Sequence, residues 1–126
     1  MTFEKISSDK APKAIGAYSP GLLAGDTLYC SGQLGMDPVT GELAVGVLAQ
    51  AERALLNLKA VLAAGGMYSS NVVKTTIFLT NIADFAAVNE AYSAAFAAPY
   101  PARSTVQVSA LPKGALIEIE AIAIRN

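Results

Sequence analysis

The sequence contains no histidine. That absence removes a Ser-His-Asp triad, an imidazole general base and any histidine ligand for zinc or iron. Cysteine is nearly as scarce. Cys30 is the single thiol, which excludes an internal disulfide or a thiolate cluster. Its place in the apolar run Leu28-Tyr29-Cys30 predicts a packing role rather than a nucleophile. No block of like charge occurs, and nine Lys and Arg face ten Asp and Glu for a net charge of −1. Without a basic stripe there is no footprint for a phosphate backbone, so nucleic acid is not an expected partner. Long apolar runs are missing too: Met1 to Ser8 holds none of signal-peptide length, and no other stretch is long enough to span a bilayer. A cytosolic protein without a membrane partner is expected, with chemistry left to carboxylate, guanidinium, hydroxyl and backbone groups.

What is present suffices for a core. With 53% apolar residues in 126, residues 1–126 read as one domain. Gly21-Leu22-Leu23-Ala24, Gly25-Asp26 and Thr27 to Ser31 read as a hairpin whose turn glycine is free to take positive φ. Asp37-Pro38 and Thr40-Gly41 place a loop over Leu34 to Gly46. From Gly46 to Ala64, Leu48, Ala51, Leu55, Leu58 and Leu62 recur at helical spacing, and Gly65-Gly66 ends the helix. Val72 to Leu79 is a strand by its β-branched content. A second helix starts near Asn81, a capping side chain, and carries the stripe Phe85, Val88, Tyr92 and Phe96. Past Pro99 and Pro101 a strand resumes over Arg103 to Val108, turns at Pro112-Lys113-Gly114 and returns as the longest strand, Ala115 to Ile124.

Helices bridging strands predict parallel pairings, and the two hairpins predict antiparallel ones. The expected fold class is α+β, a mixed sheet with two helices on one face. Ile117, Ile119, Ala121 and Ala123 share one side of the last strand, and Glu118, Glu120, Ile122 and Ile124 share the other. Neither side is fully polar, so the uncovered face is expected to pack on copies of the chain.

Two charged positions stand inside this otherwise sheet-like last quarter. Arg103, at a strand start, offers a fork for a small carboxylate. Glu118, on what reads as the neighbouring strand, is placed to handle water beside a bound acid. An ordinary ion pair between strands is the plainer alternative.

Several segments together resemble one family. Ala14-Ile15-Gly16-Ala17-Tyr18-Ser19-Pro20, Ser31-Gly32-Gln33, Val73-Lys74-Thr75-Thr76, Asp84 to Tyr92, Pro101-Ala102-Arg103-Ser104 and Ile117-Glu118-Ile119-Glu120-Ala121 are similar to the RidA family, also called YjgF, the reactive intermediate or imine deaminases. The likeness runs in order along nearly the whole chain. It implies a chorismate-mutase-like fold (bacillus type), a homotrimer around a central β-barrel, and a ligand cleft at each subunit interface. It also implies hydrolysis of 2-imino acids, formed from enamines such as 2-aminoacrylate, to 2-oxo acids and ammonia, with no metal or organic cofactor.

Carried onto this sequence, the resemblance makes Arg103 the carboxylate-binding residue and Glu118 the group that positions or deprotonates water. Tyr18 lines the cleft, and the backbone at Gly32 approaches the ligand. Where many relatives have cysteine this chain has Thr105, read as a backbone contact whose side chain adjusts substrate preference. Glu120, Asn89 and Gln33 are read as holding the fold or interface. The alternative is a non-catalytic trimer that binds small carboxylates or keto acids as a regulator. A ribonuclease is disfavoured by the missing histidine and basic stripe, and a chaperone by burial of apolar surface in an oligomer.

Overall fold

A computed structural model describes residues 2–126. Its elements are β1 (Phe3–Ile6), β2 (Gly21–Ala24), β3 (Thr27–Leu34), α1 (Val47–Ala64), β4 (Val72–Leu79), α2 (Phe85–Ala95), β5 (Ala102–Gln107) and β6 (Ile117–Ile124). They form one six-stranded sheet in the order β1-β2-β3-β6-β4-β5. Gly25, at φ 62°, makes the β2-β3 turn as expected. The crossover through α2 joins β4 to β5 in parallel, also as expected.

The second hairpin is not one. β6 does not pair with β5 but enters between β3 and β4, antiparallel to both. Its eight residues equal β3 and β4 in length, so it is not the longest strand. The reason lies in its composition: Ile117, Ile119, Ala121 and Ala123 are all buried, and only a central strand under a helix hides a whole side. β5, by contrast, is Ala-Arg-Ser-Thr-Val-Gln and sits at the rim. Arg103 and Glu118 are therefore two strands apart rather than on neighbours.

Both helices lie on one face, α1 over β3 and β6 and α2 beside α1. Leu28, Leu58, Leu62, Ile77, Leu79 and Ile117 are fully buried between them. Each such side chain is worth about 1.5–3 kcal/mol of burial. Cys30 belongs to this core, and burial pushes its thiol pKa up to about 12, which suits packing and not nucleophilic chemistry. Two members of the expected helix stripes are exposed, Leu48 at 43% and Phe85 at 40%. Asn81 does cap, its Oδ1 accepting the Ala83 N–H at 3.0 Å, but it caps a single 3-10 turn that precedes α2.

The other face of the sheet carries no helix. Leu22, Tyr29, Val106 and Ile124 are exposed on it, with Glu118 and Ile122 half-buried among them. Among the described residues no helix is long and apolar enough to cross a membrane.

Candidate functional site

The sheet alternation decides where the two charged residues point. Arg103 is paired with Thr75 and Thr105 with Ile77 in the parallel β4-β5 register, and Thr75 and Ile77 are buried under the helices. Arg103 thus faces α2. Glu118, between buried Ile117 and Ile119, faces the uncovered side. In one subunit the guanidinium and the carboxylate lie on opposite faces of the sheet, so they form no ion pair.

Around Arg103 the helix has built a cradle. Nη1 donates to Asn89 Oδ1 at 2.8 Å, and the guanidinium carbon sits 4.8 Å from the Tyr92 ring centroid and 5.3 Å from that of Phe85. Each stacked ring contributes roughly 0.5–2 kcal/mol, depending on desolvation. An open cleft of about 490 Å³ is bounded by Asn89, Tyr92, Ser93, Tyr100, Pro101 and Arg103. Thr105 lies two residues on, outside that lining, with a buried Oγ1 that has no partner among the described residues.

A narrower cleft on the other side, about 190 Å³, brings together Tyr18, Gly32 and Glu118, with Gln33, Lys13 and Lys113 on its walls. A β-bulge makes it. Cys30 pairs with Ala121 and Gln33 with Ile119, so Ser31 and Gly32 oppose the single residue Glu120. The bulge is stapled to the Tyr18 loop by Ser31, whose N–H donates to Pro20 O at 2.9 Å and whose Oγ donates to Ser19 O at 2.6 Å. Gly32 is glycine for a steric reason: a Cβ there would collide with the Glu118 carboxyl group, whose Cδ would lie 2.6 Å away. Gly32→Ala must displace that carboxylate. Any activity that depends on the placement of the Glu118 carboxylate should fall at least about tenfold with little change in melting temperature, read by activity and calorimetry on the same preparation.

Glu118 is half-buried and its pKa is raised above the ordinary carboxylate range, first by desolvation and then by the nearby charge of Glu120. The far wall is held by two buried polar side chains of α1. Asn57 Nδ2 donates to Leu34 O at 3.0 Å and Met36 O at 2.8 Å. Gln50 Nε2 donates to Ala44 O at 3.0 Å, and its Oε1 accepts the Leu116 N–H at 2.9 Å. Lys113, at φ 61°, completes the wall by donating from Nζ to Gly41 O at 3.2 Å. The sequence reading missed Asn57 and Gln50, although both fall on the inward side of α1, where a polar residue needs partners. A further cavity, about 630 Å³ between the C-terminal ends of the two helices, holds none of these residues.

The chain therefore carries two separate clefts, one with a guanidinium on the helix face and one with a half-buried acid and a tyrosine on the other. Proteins of known sequence and structure are similar to this chain along its length. A family model described as endoribonuclease L-PSP matches residues 8–125. Protein DfrA of Myxococcus xanthus is 55% identical over 127 residues, spanning 98% of this chain and 97% of that one. A Rattus norvegicus relative named 2-iminobutanoate/2-iminopropanoate deaminase is 54% identical over 122 residues, 96% of this chain and 89% of that one. The crystal structure of RidA from a Psychrobacter species superposes with a TM-score of 0.95 at 49% identity, covering 97% of this chain and 99% of its own. With a matching family model over nearly its full length and these close relatives, the chain belongs to the RidA family, the one that the endoribonuclease L-PSP model describes.

Proposed function

We propose that this protein is a cytosolic 2-iminobutanoate/2-iminopropanoate deaminase, a cofactor-independent hydrolase acting on the C=N bond of small 2-imino acids. It works as a homotrimer in which the Arg103 face of one subunit meets the Glu118 face of the next. The observation that carries this reading is the split of the two half-sites between opposite faces, since each supplies what the other lacks. The rat relative's name supports the substrate class. The exposed apolar row Leu22, Tyr29, Val106 and Ile124 supports burial of the helix-free face against copies of the chain.

In this reading Arg103 grips the α-carboxylate through parallel N–H donors and sets the C2 carbon in the cleft. Glu118, ionised, accepts a proton from water as its oxygen bonds to C2 and passes that proton to the imine nitrogen, giving a neutral carbinolamine. Glu118 then takes the hydroxyl proton and delivers it to the nitrogen as the C–N bond breaks, leaving the 2-oxo acid and ammonia. Tyr18, exposed at the cleft mouth, packs on the substrate, and the Gly32 backbone lines its path. Thr105 borders the Arg103 side and tunes substrate size. Ribonuclease chemistry finds no support in a chain with no histidine and balanced charge.

The test is to generate 2-iminobutanoate in situ with a dehydratase acting on threonine and trap it with semicarbazide. Wild-type protein at catalytic amounts should suppress trapping, and Arg103→Ala should not. If wild type leaves trapping unchanged yet binds 2-oxobutanoate through Arg103, the protein is a carboxylate-binding regulator instead.

A further inference from the structure

Arginine is long and mobile, and a fork presented to a ligand loses rotamer freedom on binding unless something holds it beforehand. Here α2 holds it. The guanidinium face lies on the Tyr92 and Phe85 rings, and Nη1 is tied to Asn89 Oδ1. Tyr92 is itself pinned, because its hydroxyl shares a 2.8 Å hydrogen bond with Thr75 Oγ1, and both side chains are buried. Thr75 sits directly across from Arg103 in the β4-β5 register, so strand and helix meet beneath the guanidinium.

From this arrangement we infer that Asn89 is a positioning residue: its side-chain oxygen fixes the plane and rotation of the Arg103 fork before the acid arrives, leaving Nε and Nη2 to meet the carboxylate. Nη1 to Asn89 is the one side-chain hydrogen bond of Arg103 among the described residues, so the Nε and Nη2 edge is open. Asn89 is exposed on α2 and fills no core space. Alanine also has the higher helix propensity, so Asn89→Ala should leave folding intact. The inference rests on the proposed role of Arg103 and deepens it.

The experiment is a double-mutant cycle on 2-oxobutanoate affinity and on the KM and kcat of the coupled assay, using wild type, Asn89→Ala, Arg103→Lys and the double variant. Asn89→Ala should weaken binding and raise KM about tenfold, the scale of one hydrogen bond to a charged group, with kcat changed much less. In the Arg103→Lys background the same replacement should cost under about twofold, because no fork remains to orient. Equal losses in both backgrounds, or a normal KM in Asn89→Ala, would overturn the positioning role while leaving Arg103 as the anchor. If Arg103→Lys itself binds 2-oxobutanoate like wild type, the reading of the site fails first, and the cycle shows which of the two has gone.

Discussion

An equal mixture of Arg103→Ala and Glu118→Ala subunits should recover activity that neither variant has alone. In each single variant every cleft is damaged. Arg103→Ala removes charge-assisted hydrogen bonds of about 1.5–3 kcal/mol each and should cut kcat/KM at least about a hundredfold. The two side chains lie on opposite faces of one sheet, Arg103 against α2 and Glu118 against the Gly32 bulge, so in the proposed trimer a complete cleft draws them from different copies. In a ring of three, every mixed trimer that carries both tags has one intact cleft of three, so the activity of the doubly purified trimers should return to about a third of wild type. Co-expression with two purification tags followed by semicarbazide trapping measures it. Absence of recovery in purified mixed oligomers would mean that both residues act from one subunit, and the interface cleft would be lost with it.

Glu118→Gln carries the second large effect. If the carboxylate moves the proton of the attacking water, kcat should fall about a hundred- to ten-thousandfold while 2-oxobutanoate binding stays within about threefold. The wild-type rate should decline on acidification at a pH above the usual carboxylate range, because desolvation and Glu120 both raise the Glu118 pKa. The same shift fixes a stability trend. A carboxyl whose folded pKa is raised gives its stabilisation below the unfolded pKa and loses it as pH rises through the folded value. Glu118→Gln is neutral throughout, so its melting temperature relative to wild type should increase between pH 4 and pH 7. A constant difference across that range would show that Glu118 is not desolvated in the assembled protein.

Much of this was legible in the residues, and the failures have physical causes. α1 could be read from Ala51, Leu55, Leu58 and Leu62 because a helix buries one stripe and these are its members. Leu48 misled because it lies in the first turn of α1, at the edge of the buried stripe, and stays 43% exposed. Phe85 misled in a more informative way: it is apolar and on the stripe, yet it serves the Arg103 guanidinium rather than the core. The insertion of β6 between β3 and β4 was hidden because a turn at Pro112 to Gly114 looks the same whether the chain returns to its neighbour or passes beyond it. For the site, Arg103 and Glu118 were visible as charges in strands. Their opposite orientation was not, because it depends on which strand each is paired with. Tyr18, Gly32 and Glu118 came together only through the Ser31-Gly32 bulge, a one-residue offset that no short pattern announces.

β5 lies at the rim of the sheet, bonded to β4 alone, so one side of its backbone offers unpaired N–H and C=O groups. A rim of that kind recruits the strands of other molecules when it is long and apolar. Here it is six residues, Ala-Arg-Ser-Thr-Val-Gln, with Pro99 and Pro101 before it. The polar side chains proposed to equip this strand for a small acid are the same ones that make it a poor template for fibre growth. A drift of Arg103 and Ser104 toward valine would lose the proposed ligand fork and gain an aggregation-prone edge in the same step.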